Sequence, residues 1–366
     1  MTEFIPQIEP WIDASELDQF KRIIESTYVV EHALTEEFEQ EIIKLTGSKY
    51  AMAVTNGTAA LFCCLKSLGI GTGDEVIVPD LTFVATSNSV IMAGAIPVFC
   101  DVDPDTLCID VSAIESLITE NTKAIMPVHL YGNSADMESI MSLARRHNIK
   151  VIEDAAQGVG VKRKSRHVGT MGDCSILSFY GNKTITCGEG GIILTDDEEI
   201  YRKCGILKNH GRPERGTFIH HEIGYNFAFT EMQAAVGLSQ LQKLDRIISK
   251  KKKIRETYKE HLGGMFEFMK VDNDTNPVHW FTSIYTDSKE ALAAHLAAAN
   301  IGSRSFFYPL HLQPCYINNP SLVKMSGTYE NSTSAYSRGL SLPSAYGMTE
   351  QQQMRVIKEV RKFHES

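Results

Sequence analysis

Apolar positions recur three and four apart over residues 14–26 and 35–45. They place Leu17, Phe20, Ile23 and Ile24 on one stripe and Phe38, Ile42 and Leu45 on another, as in surface helices. From Tyr50 onward the period changes. Short apolar runs near 50–54, 75–79, 95–100, 124–130, 149–153, 174–180 and 190–195 have the length of buried strands, and helical patterns near 58–68, 84–93, 136–147 and 197–208 separate most of them. Alternation at this spacing predicts an α/β fold with a mostly parallel central sheet covered on both faces. Farther on, helices near 230–243 and 245–262, a strand-like run from Val278 to Thr286, and helices near 288–299 and 349–363 predict a smaller α/β lobe, the 245–262 helix joining it to the first. Gly73 and Asp74 mark a turn before Glu75, and Pro79 ends that strand and frees the loop after it.

At 366 residues the chain exceeds the size at which one core keeps growing. An N-terminal segment with a large, ligand-binding domain over 1–245 and a small C-terminal domain over 246–366 are therefore expected. A formal charge of −9 without a basic block argues against nucleic acid as a partner. The basic run Lys250–Lys253 falls among Leu244, Ile247, Ile248 and Ile254, so it decorates the polar face of a helix, with anion binding as the alternative. Eight cysteines include no C-x-x-C and the adjacent pair Cys63-Cys64, and Met1-Thr2-Glu3-Phe4 lacks the charged start and apolar core of a leader; a reducing cytoplasm is expected, and no metal site. No apolar run approaches the ~20 residues of a membrane span.

The stretch that carries chemistry is Ser178-Phe179-Tyr180-Gly181-Asn182-Lys183, where an apolar run delivers one lysine into a turn before the glycines Gly188, Gly190 and Gly191. A lysine held out of water is pushed toward its neutral, nucleophilic form, the form that Schiff-base chemistry with a carbonyl requires. A surface lysine on a hairpin tip is the plainer alternative. Upstream, Val151-Ile152-Glu153-Asp154 reads as a strand ending in two acids, of which one faces any given site. Such a strand end is where open α/β sheets bind ligands. Thr55-Asn56-Gly57-Thr58 turns an apolar run into a helix, so that free amides at Gly57 and Thr58 point at one spot suited to a phosphate. Lysine, carboxylate and phosphate cradle together describe a pyridoxal 5′-phosphate site. Phe83, in the loop after Pro79, has the flat side chain that lies against a cofactor ring, or else fills the core. Ser178 has a hydroxyl within reach of a phosphate, or only a backbone partner.

These residues carry a resemblance. With Asp74-Glu75-Val76-Ile77-Val78-Pro79, Thr82-Phe83-Val84-Ala85-Thr86, Glu153-Asp154-Ala155-Ala156-Gln157, Gly224-Tyr225-Asn226 and Tyr308-Pro309-Leu310-His311 in order, the chain resembles the DegT/DnrJ/EryC1/StrS family of nucleotide-sugar aminotransferases, and within it the perosamine-synthase branch. The resemblance implies an aspartate-aminotransferase-like (fold type I) large domain and pyridoxal 5′-phosphate as cofactor. It also implies that Lys183 is the catalytic lysine, that Asp154 pairs with the ring nitrogen, that Gln157 bonds the ring hydroxyl and that Phe83 lies on the ring face. Asn226 would reach the phosphate of a partner chain's cofactor, which implies a homodimer with shared sites, or else would cap a helix. Arg304, Tyr308 and His311 would form a lip over the sugar nucleotide, though a surface arginine and a capping histidine are the plainer readings. The implied reaction moves an amine from an amino acid, glutamate first, to a nucleotide-linked 4-keto-6-deoxy sugar for surface polysaccharide. GDP is the favoured nucleotide, with UDP and dTDP next. Two departures from the family pattern bear on substrate choice: Glu31-His32-Ala33, where small residues and a glycine are usual, and Ala228, where a basic residue is common.

Overall fold

Val76–Val78, Ile125 and Val151–Ile152 are buried on both faces of a sheet, so their strands read as continuous apolar runs. The structure, a computed structural model, describes residues 3–213, 216 and 218–365. In chain order its first nine strands are β1 (Tyr50–Val54), β2 (Glu75–Pro79), β3 (Ile96–Cys100), β4 (Thr122–Ile125), β5 (Lys150–Asp154), β6 (Lys162–Arg163), β7 (Arg166–His167), β8 (Cys174–Ser178) and β9 (Gly191–Thr195). The central sheet has the order β1-β9-β8-β5-β4-β2-β3. Strand β9 runs antiparallel to β1 and β8, and the other neighbours are parallel. Its reversal follows from its connection: the turn bearing Lys183 joins β8 to β9 without a crossover helix. Side chains alternate across the sheet. Ile176 of β8 joins the core under the Gly57–Ser67 helix with Leu61 and Leu65, whereas Leu177 joins Phe38 and Leu238 on the opposite face.

The helices expected near 230–243 and 245–262 are one helix, Glu231–Leu262, opened by a capping box between Thr230 and Gln233. Nothing at 244 interrupts its apolar stripe, so the helix runs without a break from the sheet to the C-terminal lobe. The strand expected over 124–130 is shorter, because Pro127 has no amide to donate; past it the chain returns to β5 only through the bridge of Val128 to Asp154. The Val278–Thr286 run is a strand only over Thr282–Tyr285. That strand sits in a four-stranded antiparallel sheet with Glu267–Phe268, Gly339–Leu342 and Arg304–Ser305, covered by helices Lys289–Ala298 and Glu350–His364. The chain start packs on this lobe: Ile5 bridges Ile301, and the Gln7 carbonyl accepts from the Ser344 amide at 2.8 Å.

Candidate active site

At the carboxyl ends of β2, β5 and β8 the loops enclose a cavity of about 570 Å³. Lys183 enters it from the β8–β9 turn. The turn is pinned by the Lys183 amide bonding the Tyr180 carbonyl at 2.9 Å and by the Trp280 indole N–H donating to the Asn182 carbonyl at 2.6 Å. The Lys183 ammonium lies 4.3 Å from the centre of the Trp280 ring. Burial lowers its pKa from 10.5 to about 8; the Asp154 carboxylate opposes this shift and the Arg304 guanidinium adds to it. A neutral, nucleophilic amine is thus accessible near neutral pH.

The two acids of β5 diverge, as the strand period requires. Asp154 lines the cavity, accepting from the Thr86 hydroxyl at 2.8 Å and the Ala156 amide at 3.1 Å. Burial raises its pKa, and no cation hydrogen-bonds it among the described residues. A buried carboxylate in that state fits a cationic N–H supplied by a ligand. Glu153 faces the other way. It meets His129 Nε2 at 2.9 Å and accepts from the amides of Gly169, Met171 and Gly172 at 2.6–2.7 Å. Burial alone would raise the Glu153 pKa, but these donors outweigh it and hold it low.

Asn56 caps the Gly57–Ser67 helix, its side chain accepting from the Ala59 amide at 2.9 Å. The Ala60 amide bonds the Asn56 carbonyl, which leaves the amides of Gly57 and Thr58 at the cavity wall beside Ser178. A Cβ on Gly57 would stand 3.3 Å from Ser178 Cβ, so the missing side chain keeps this cradle open. Phe83 also lines the cavity; it is 54% exposed and tilts against Phe307 at 5.9 Å. Tyr131 ties this wall together: its amide donates to Gln157 Oε1 at 2.6 Å, its hydroxyl accepts from the Phe307 amide at 2.8 Å, and its ring stacks on Phe307. Amide cradle, flat aromatic, unpaired carboxylate and low-pKa lysine are a donor set that fits pyridoxal 5′-phosphate.

Gly57, Thr58, Phe83, Asp154, Gln157, Ser178, Lys183 and Arg304 therefore line one cavity. Tyr308 and His311 do not. Tyr308 packs edge-on against Tyr336, and His311 is held by Asp80, its Nδ1 at 2.6 Å from one carboxylate oxygen and its amide at 2.8 Å from the other. Asn226 bridges Asn209 and lines a separate cleft with Val30, Lys208 and Ala228. Trp280 carries no mark in the sequence, and Thr86 and Phe307 stand there only as members of longer motifs, with no site role of their own. Thr86 sits four residues after Thr82 at a helix start, a periodic hint, but Trp280 and Phe307 arrive from the other lobe and only folding brings them here.

A sheet of this order with a lysine on its β8–β9 turn defines an aspartate-aminotransferase-like, fold-type-I protein. The chain belongs to the DegT/DnrJ/EryC1/StrS aminotransferase family, whose profile matches residues 10–361. It is 38% identical over 369 residues to the GDP-perosamine synthase of Escherichia coli O157:H7, covering 99% of each chain. To the GDP-perosamine synthase of Vibrio cholerae it is 36% identical, covering 98% of this chain and 99% of the other. Among solved structures, DesV of S. venezuelae in complex with a ketimine intermediate superposes with a TM-score of 0.93 at 32% identity over 100% of both chains. The chain is thus a transaminase. Among the described residues no helix is long and apolar enough to cross a membrane, and no group of His, Cys, Asp and Glu could hold a metal ion.

Proposed function

We propose that the protein uses pyridoxal 5′-phosphate to move an amino group from an amino acid, L-glutamate first, to a GDP-linked 4-keto-6-deoxy sugar, as a cytoplasmic step toward an amino sugar of surface polysaccharide. The observation that carries this reading is the convergence on one cavity of Lys183, the Gly57 helix start and Asp154, to which no cation hydrogen-bonds among the described residues. The bound cofactor supplies an electron-accepting ring that stabilises negative charge on the carbon losing a proton. The amides of Gly57 and Thr58 and the Ser178 hydroxyl hold the phosphate. Asp154 accepts from the ring nitrogen and keeps it protonated, a charge-assisted bond contributing about 1.5–3 kcal/mol. Gln157 Oε1 is occupied by the Tyr131 amide, which leaves the side-chain N–H groups to donate to a ring hydroxyl. Phe83 would lie against the ring face. Lys183 Nζ, whose pKa burial brings down to about 8, would in its neutral form remove the proton from the α-carbon of the donor. Arg304, on the cavity wall, would meet the sugar nucleotide, whereas Tyr308 and His311 lie outside this cavity and would reach it only by moving.

The homology to two GDP-perosamine synthases supports GDP over UDP and dTDP. We further propose a homodimer with shared sites. In support, Asn226 stands outside the Lys183 cavity of its own chain, and shortly before it in sequence Phe218, Ile219 and Ile223 are 81%, 65% and 83% exposed. Incubating enzyme, cofactor and glutamate with GDP-, UDP- and dTDP-linked 4-keto-6-deoxy sugars tests the substrate: the GDP sugar should gain an amine by mass. No gain with any of the three, from a protein that stays colourless with cofactor, would favour a binding protein without turnover.

A further inference from the structure

The basic run in the long helix does not simply decorate a solvated face. Lys251 is buried, donating to the carbonyls of Trp280 and Ser344 at 3.0 and 3.2 Å. One residue on, Lys252 begins a row with Arg255 and Lys259 that shares one helix face at spacings of three and four. This row forms one wall of a cleft of about 480 Å³ in the C-terminal lobe, whose other walls include Phe268–Val271, Pro277 and His279. Internal acids leave much of the charge uncompensated. Lys270 is paired with Asp105 at 2.7 Å, but Glu256 reaches Lys252 only at 4.0 Å. Arg255 is the informative member. It is 5% exposed, its Nη2 donates to the Met269 carbonyl at 2.6 Å, and its Nη1 is buried without a hydrogen-bond partner. A buried cationic donor left unpaired is costly unless a ligand completes it. The same crowding shows on His279, whose pKa falls to about 3 through burial and the nearby charges of Arg255, Lys259, Lys251 and Lys252.

We propose that this cleft is a second ligand site for a small phosphate-bearing anion, with Arg255, Lys252 and Lys259 taking the phosphate oxygens and Phe268, Val271 and Pro277 taking the organic part. It stands apart from the transamination site but abuts it: His279 precedes Trp280, whose ring lies under Lys183. Calorimetric titration with inorganic pyrophosphate tests the site, using full-length protein loaded with pyridoxal 5′-phosphate and carrying Arg304→Ala, so that anion binding in the main cavity is suppressed. Saturable binding of one pyrophosphate per chain is expected. Lys252→Ala/Lys259→Ala should weaken it about tenfold or more. Lys358→Ala/Lys362→Ala, an equal charge change at exposed positions of the same lobe, should leave it unchanged. Absent binding, or equal weakening in the two double variants, would show only a solvated basic face and overturn the proposal. Both pairs are exposed, so thermal unfolding at the parental temperature verifies that neither variant has lost the fold.

Discussion

Burial pushes Lys183 and Asp154 in the same chemical direction, toward their uncharged forms, and each then depends on what the cavity receives. Lys183→Ala should abolish turnover while cofactor still binds, because the cradle at Gly57, Thr58 and Ser178 is untouched. Turnover above a few per cent of the parent, in an assay that also quantifies bound cofactor, would remove Lys183 from the proton-transfer role. Asp154→Asn should fold normally yet lose orders of magnitude in rate, since an amide cannot hold a ring nitrogen protonated. Its neighbour separates the two kinds of loss. Glu153→Gln would turn an amide N–H₂ toward backbone N–H donors in a buried site, so it should cost about 2–3 kcal/mol in denaturant unfolding. A Glu153→Gln protein as stable as the parent would mean those donors find acceptors elsewhere.

The start of the Gly57–Ser67 helix is held against β9 more closely than any side chain allows. A Cβ on Gly191 would stand 2.5 Å from the Asn56 carbonyl oxygen and 2.8 Å from the Gly57 amide, both backbone atoms that cannot step aside. Gly191→Ala should therefore shift the cradle, weakening cofactor affinity and destabilising the protein by about 1–3 kcal/mol. Unchanged affinity in a fluorescence titration would show that the cradle tolerates the shift. The long helix offers a second test. Burial lowers Lys251 from 10.5 to about 7, so between these values the unfolded chain holds a proton that the folded chain has released. Stability should then rise with pH across that window and be lost as pH falls through it. In thermal melts of the cofactor-free protein, Lys251→Met should remove this slope below pH about 8, where Lys183 begins to contribute its own. A slope that persists would mean Lys251 stays protonated in the fold.

At the scale of the whole molecule, the proposed shared site makes a prediction that one chain cannot satisfy. Lys183→Ala and Asn226→Asp chains should each be inactive, the second because a carboxylate against the cofactor phosphate repels it. If Asn226 acts across a two-fold interface, a mixed dimer carries one site with both lesions and one with neither, so subunit exchange should restore activity. A dead mixture, with exchange verified by mass, would place Asn226 in its own chain's site. Much of this architecture was legible in the residues. Runs such as Val76–Val78 and Val151–Ile152 are short, β-branched and bounded by turn residues, which together favour buried strands, and turn chemistry at Asn56-Gly57 and at Gly181–Gly191 punctuates the chain, so the α/β order, the helix start and the lysine turn follow from local pattern. Period-2 geometry also requires Glu153 and Asp154 to part, but it does not say which faces inward. Only the tertiary structure decided that, through the amides of Gly169–Gly172 waiting on the far side for Glu153. It likewise merged two expected helices into Glu231–Leu262 and buried Lys251 within a basic run. It set Trp280 beneath Lys183 from 97 positions away in sequence (280 − 183) and drew His311 onto Asp80. The physical reason is common to these cases: local pattern sets which backbone hydrogen bonds a segment makes, whereas burial, charge and long-range partners exist only once distant segments share a core.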